Sequence, residues 1–307
     1  VYGVIIGALL HLLIQVPGLI KYQFRWHPRV DFKESYTRKV LRLMGPRVVS
    51  MLFIQLIFLA QDNLGSRLSE GSVSALTYGW WIMQVPQTLI GTSIATAILP
   101  TLSEMFSNQQ FELLKERIER AARVMITLTV PVAIVAGMVL LPVVRLFLGL
   151  DEAGTLRVAN TSQIFLPGIV GHSLVELFVR SFYALQKPRV PLIGSAFTLV
   201  VFILLGIVLS PMLEAVGIAA ANTIAYTLQT LLLLILLRKT LPEPLRLGKT
   251  TLKSLLAAAL GGAAAYAVVN WAPKLAGSLI GAVAAFGVGI LLAALILRKD
   301  LREIADL

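Results

Sequence analysis

Apolar stretches long enough to cross a bilayer recur along the whole chain, and nothing constrains its fold more. They cover approximately 1–20, 46–66, 75–101, 123–147, 160–183, 191–209, 215–237, 251–271 and 276–297, with the shortest breaks at 210–214 and 272–275. A helix needs about 20 consecutive apolar residues to span the hydrocarbon core. Of the 307 residues, 57% are hydrophobic and only 14% charged, whereas a soluble domain carries about 25% charge. The runs are continuous rather than alternating ten-residue pieces, which argues against a membrane β-barrel. The expected class is an all-α polytopic membrane protein with nine transmembrane helices.

The first run, VYGVIIGALLHLLIQVPGLI, starts at Val1 and has neither the basic n-region nor the small-residue cleavage site of a secretory signal. It reads as a helix from the middle of a longer protein. The chain has no cysteine, which excludes a disulfide framework or a thiolate site.

Basic residues give the direction. Alternate loops and their flanks, after the first, third, fifth and seventh runs and in the tail, hold eight, four, two, five and three of them, 22 of the 27 Lys and Arg. The other loops hold Arg67, Arg145, Arg157 and Lys274, and Arg180 lies inside a run. Cytoplasmic loops are the basic ones, so the rich side and the C-terminus are placed in the cytoplasm. The net charge of +11 then reports topology and contact with anionic phospholipid heads rather than a nucleic-acid surface. Two polar stretches, HPRVDFKESYTRKVLRL and SEMFSNQQFELLKERIERAARV, have helical spacing. Either they lie on the cytoplasmic membrane surface as amphipathic segments, or they extend the neighbouring spans.

His172, Glu176 and Arg180 are spaced four residues apart and share one helix face. Ionised groups inside a membrane helix mark a water-filled cavity or a partner; the plainer alternative is that Glu176 and Arg180 pair while Arg180 snorkels to the heads. Asp62 stands toward the external end of the second run, at a cavity mouth or at the interface. Asn222, Tyr226 and Gln229 suit interhelical hydrogen bonding, and Gly261, Gly262, Gly277 and Gly281 suit close packing. A lone histidine without further ligands is no metal site. With no phosphate-loop glycines, no HExxH and no serine–histidine–acid set, the chain does not read as an enzyme, and no cofactor is expected.

The run SVSALTYGWWIMQVPQTLIGTSIATAILPTLSEMF resembles the eighth-helix signature of the MurJ/MviN lipid II flippase family, within the superfamily of multidrug and oligosaccharidyl-lipid exporters. The matching ending is Gly91, Ala95, Thr96, Pro100, Leu102 and Ser103. RSFYALQKPRVPL is similar to a second family motif through Phe182, Tyr183, Ala184 and Pro191, with Lys187 where the family has Asp; KVLRLMGPRVVS is a third match. The resemblance implies two six-helix lobes around a central cavity followed by two more helices, this chain corresponding to helices six to fourteen. Residues 1–20 would be the last helix of the first lobe, 21–45 a cytoplasmic amphipathic linker, 46–237 the second lobe, 251–297 the terminal pair and 298–307 a cytoplasmic tail. Trp81 and Gln84 stand where the family has an arginine and a glutamate, and Pro86 matches its helix-bending proline.

What the resemblance implies is flipping of lipid II, an undecaprenyl-diphosphate-linked glycan, to the outer leaflet by alternating access, with cell-wall synthesis proteins as further partners. Arg180, Glu176, His172, Trp81, Gln84 and Asp62 are the candidate cavity residues. Two other functions fit the same residues: export of another lipid-linked oligosaccharide, and a non-transporting membrane scaffold for cell-wall enzymes. First-lobe helices bearing several arginines would favour the flippase, and a cavity without basic residues the scaffold.

Single cysteines placed at Asp151 and Lys274 in this Cys-free chain are expected to react with an impermeant maleimide in intact cells, and one at Gln110 is not. Labelling at Gln110 but not Asp151 would reverse the orientation.

Overall fold

A computed structural model describes residues 2–22, 35–271 and 279–298, and every regular element among them is helical. Parts of the 21–45 linker, the break at 272–275 and nearly all of the 298–307 tail lie outside the described residues. In order the helices are α1 (Tyr2–Leu13), α2 (Val16–Lys21), α3 (Ser35–Gly65), α4 (Ser72–Pro86), a π-helical segment (Gln87–Thr92), α5 (Ser93–Ser107), α6 (Phe111–Leu148), α7 (Glu152–Phe165), α8 (Gly168–Ala184), α9 (Arg189–Arg238), α10 (Gly248–Trp271) and α11 (Leu279–Ile296). The chain forms two compact units, Val1–Arg42 and Leu43–Leu307. In the first, α1 packs on α2, whose proline occupies the first turn, where its missing N–H removes no helical bond.

The α10–α11 pair of the second unit is built with small residues inside and large ones outside. On α11, Ala282, Ala285 and Ala293 are buried while Ile280, Leu291 and Leu295 are exposed. Lipid is as apolar as leucine, so membrane helices associate through close backbone approach rather than by hiding large side chains. α10 and α11 meet in this way: a Cβ on Gly289 would sit 2.8 Å from the Gly261 carbonyl oxygen. Both helices also pack against α6. Between α4, α7, α8 and α9 lies the larger core, which holds the fully buried Phe165, Phe178 and Phe202.

Five described helices are long and apolar enough to cross a membrane, or six if α7 and α8, bent by 42°, make one span. That is short of the expected nine, for reasons of length and breakage. The apolar parts of α1–α2 and α11 are under 18 residues, and α9 counts once although it is broken. At Glu214 the backbone leaves the helix (φ 52°, ψ −135°). Beyond that break the chain turns back on itself. Gly217 presses against the Leu209 backbone, and a Cβ on Gly194 would lie 3.2 Å from Leu233 Cδ2. The paired positions advance in opposite directions, so the two arms of α9 form an antiparallel hairpin.

The polar stretch at 111–122 is settled as a helical extension, since α6 runs unbroken over its 38 residues. Glu119 is buried there between Lys115, 3.6 Å away, and Arg123, while Lys115 also reaches Glu243 at 3.2 Å. These pairs tie the extension to the segment that leads from α9 into α10.

Cysteines replacing Gly194 and Leu233 are expected to crosslink readily with a short bifunctional maleimide. In an unbroken helix those positions would stand about 58 Å apart, so failure to crosslink would exclude the hairpin.

Candidate functional site

One face of α8 carries His172, Glu176, Arg180 and, a turn further, Tyr183, and that face borders a cavity of about 710 Å³ within the second unit. Opposite it α3 contributes Arg47, Ser50 and Phe58; α4 and the π segment contribute Trp80, Gln84, Gln87 and Thr92. The hairpin arms of α9 close the remaining side with Ser195, Thr198, Tyr226 and Gln229. The cavity wall is mostly apolar and carries a polar patch, whose charged members among the described residues are two guanidinium groups and one carboxylate.

Its two ends differ. The inner end is neutral and aromatic: His172 stacks on Tyr226 with ring centres 3.6 Å apart, meets Trp80 edge-on at 5.3 Å, and shares a 3.1 Å hydrogen bond with the Asn222 side-chain oxygen. The other end, toward Arg47 and the basic turn at 187–189, is charged. Arg180 donates to the Glu176 carboxylate and, from its second terminal nitrogen, to Thr96 Oγ1 at 3.2 Å. Arg47 lies over the Tyr183 ring, 5.5 Å from its centre.

The sequence pointed to six cavity residues, of which Arg180, Glu176, His172 and Gln84 meet at this cavity. Trp81 and Asp62 do not line it. Trp81 is 56% exposed on a different face of α4, edge-on to Tyr78, because one residue along a helix is a rotation of about 100°; Trp80 supplies the lining indole instead. Asp62 is exposed near the far end of α3, while its neighbour Gln61 is buried. Pro86 stands where α4 gives way to the π segment. Proline removes one backbone donor and clashes with the preceding turn, and a π turn takes up the extra residue.

Arg47 was missed as a site residue because it sits beside the polar linker and was counted with the loop charges. The signal available was its place as the second residue of the apolar run 46–66.

The family model described as "Lipid II flippase MurJ" matches residues 1–284. Among curated relatives, the lipid II flippase MurJ of Burkholderia cenocepacia is 27% identical over 245 residues, 78% of this chain and 48% of that protein. The probable lipid II flippase MurJ of Rhizobium meliloti is 28% identical over 279 residues, 88% of this chain and 51% of that protein. The chain thus spans about half the length of these relatives. A lipid II flippase MurJ in an inward closed conformation superposes with a TM-score of 0.76 at 21% identity, covering 98% of this chain and 61% of that one. An outward-facing MATE family multidrug transporter of the MOP superfamily gives 0.58 at 13% identity, covering 87% and 66%. Both structural likenesses speak to the fold alone.

Truncating either His172 or Asn222 to leucine is expected to lower detergent-state stability by about 1–3 kcal/mol, since the partner is left buried and unpaired. The double variant should lose less than the sum. Additive losses in thermal unfolding would show that the pair contributes no bond.

Proposed function

The chain belongs to the MurJ family of lipid II flippases, and on that premise we propose that it is the part of such a flippase that walls one side of the substrate path. It is a multi-pass bacterial inner-membrane protein of the MOP superfamily, a class of transporters and not enzymes. The single observation that carries the reading is the cavity with Arg47, Glu176 and Arg180 on its wall. A headgroup carrying a diphosphate cannot cross hydrocarbon; it needs a hydrated path with fixed positive charge, while its polyprenyl tail stays in lipid.

In this reading the chain has nine spans. α3, α4 with α5, α6, α7 with α8, and the two arms of α9 make the six of the second lobe, 46–237. The α1–α2 segment precedes them, and α10 and α11 form the terminal pair within 251–297. An odd number of spans with the basic loops inside puts the residue 187 loop, the charged end of the cavity and the C-terminus on the cytoplasmic side. The cavity then opens where lipid II is made, and rocking of the lobe against an opposing one would turn it outward.

Anionic lipids at the basic loops, and cell-wall synthesis proteins, are the further partners of this proposal. Gln84 on the cavity wall, where the resemblance leads one to expect a glutamate, keeps a different lipid-linked oligosaccharide as the second candidate substrate.

Transport of lipid II in vesicles reconstituted with the complete two-lobed protein, normalised to monodisperse protein, tests the reading. Arg180→Gln is expected to lose part of the activity at nearly unchanged protein level, and Glu176→Gln to lose less. If the two residues only stabilised each other, both changes would lower folded protein, and R180Q would transport normally per molecule.

A further inference from the structure

Two guanidinium groups face the charged end of the cavity from different helices, and they are held differently. Arg180 is engaged from both terminal nitrogens: it donates to the Glu176 carboxylate, to the Glu176 carbonyl at 3.3 Å and to Thr96 Oγ1 at 3.2 Å. Arg47 is exposed to the cavity and has the Tyr183 ring beneath it, with no carboxylate in ion-pair distance among the described residues. Tyr183 follows Arg180 by three residues on α8, so Arg47, standing over its ring, faces the same stretch of wall. Two like charges on one wall of an apolar bundle are costly unless an anion comes between them.

Glu176 answers only half of that demand. Its side chain is 38% exposed and that of Arg180 20%, so the pair is wet rather than sealed. Such a solvated ion pair contributes little to stability. It is also local, four residues apart on one helix, so the carboxylate can rotate into the open cavity without moving the backbone. A phosphate group offers more: higher charge, and oxygens that bind a guanidinium fork in two places.

We infer that this end of the cavity is a phosphate subsite in which Glu176 is a resident counter-ion. In the empty cavity its carboxylate occupies Arg180. An entering diphosphate displaces it and bridges Arg180 to Arg47. Tyr183 supports Arg47 from below, as a positioning residue. This rests on the proposed transport of a diphosphate-linked lipid, and it assigns to Glu176 a sign opposite to that of a structural partner: the residue competes with the ligand.

The test is calorimetric titration of the purified 307-residue chain with inorganic pyrophosphate, and separately with a polyprenyl diphosphate in nanodiscs. Removing the competing charge in Glu176→Gln should tighten binding about tenfold, and Arg47→Gln should weaken it by a similar factor. Glu176→Asp keeps the charge but shortens its reach, and should tighten binding by less; it carries the test if E176Q is not recovered folded. The same order with both probes assigns a general phosphate subsite, and with the lipid probe alone a subsite reached only from the membrane. Affinity unchanged or weakened in monodisperse E176Q and E176D would overturn the inference. The expected binding order without any flipping by the complete two-lobed protein would leave the subsite standing and remove the flippase reading; flipping without that order would do the reverse.

Discussion

Within the bilayer core no water is at hand to complete a hydrogen bond, so each peptide group must find its partner inside the chain. That constraint makes every described element helical, and it extends to the side chains. The hydroxyls of Ser50, Thr129, Ser162, Ser181, Thr198 and Thr230 all fold back onto carbonyls of their own helices, four residues earlier. Polar groups satisfied this way can face a neighbour or lipid at little cost. Those too large or too charged to be satisfied locally have to be gathered, and His172, Glu176, Arg180 and Gln229 are gathered on one cavity.

The same constraint explains the break after Pro86. A proline inside a membrane helix frees a carbonyl that must be accommodated by the local path of the chain, and the π segment over Gln87–Thr92 does so. The segment also brings Gly91 against α8, where a Cβ would stand 2.8 Å from Ser173 Cα. Only glycine fits there without pushing the helices apart. α4, the π segment and α5 are thereby wedged on α8 within reach of the Arg180–Thr96 bond. The charge at the cavity wall and the irregular helix beside it are thus mechanically joined.

Much of this was legible in the sequence. The apolar runs and the four-residue spacing of His172, Glu176 and Arg180 need only the helical period, and the shared face follows from it. Even the α9 hairpin was written as two runs parted by SPMLE, where a count by helix length merges them. What failed was whatever depends on rotation or depth. Trp80 and Trp81 are equivalent in composition, and only the packing of Gly79 and Met83 into the core decides which indole turns to the cavity. Arg47 was absorbed into a sidedness count because a charge at the end of a span has two meanings, topology and lining. The difference lies in whether a second helix stands opposite it, which no single stretch of sequence records.

A path for a charged headgroup has to let go as well as hold. Two uncompensated arginines on one wall of an apolar bundle would bind a diphosphate strongly at both ends of a transport cycle and would be expensive to leave bare between cycles. A carboxylate one turn away on the same helix lowers both costs at once. It neutralises Arg180 when the cavity is empty, and it stands ready to reclaim that arginine when the ligand loosens. Binding energy that is uniform along a path lowers no barrier on it. A built-in competitor makes the site weaker without making it less selective for anions, since the geometry of Arg47 and Arg180 is kept. On these terms a glutamate beside a phosphate site, which looks like a fault when charges alone are counted, is what allows the site to turn over.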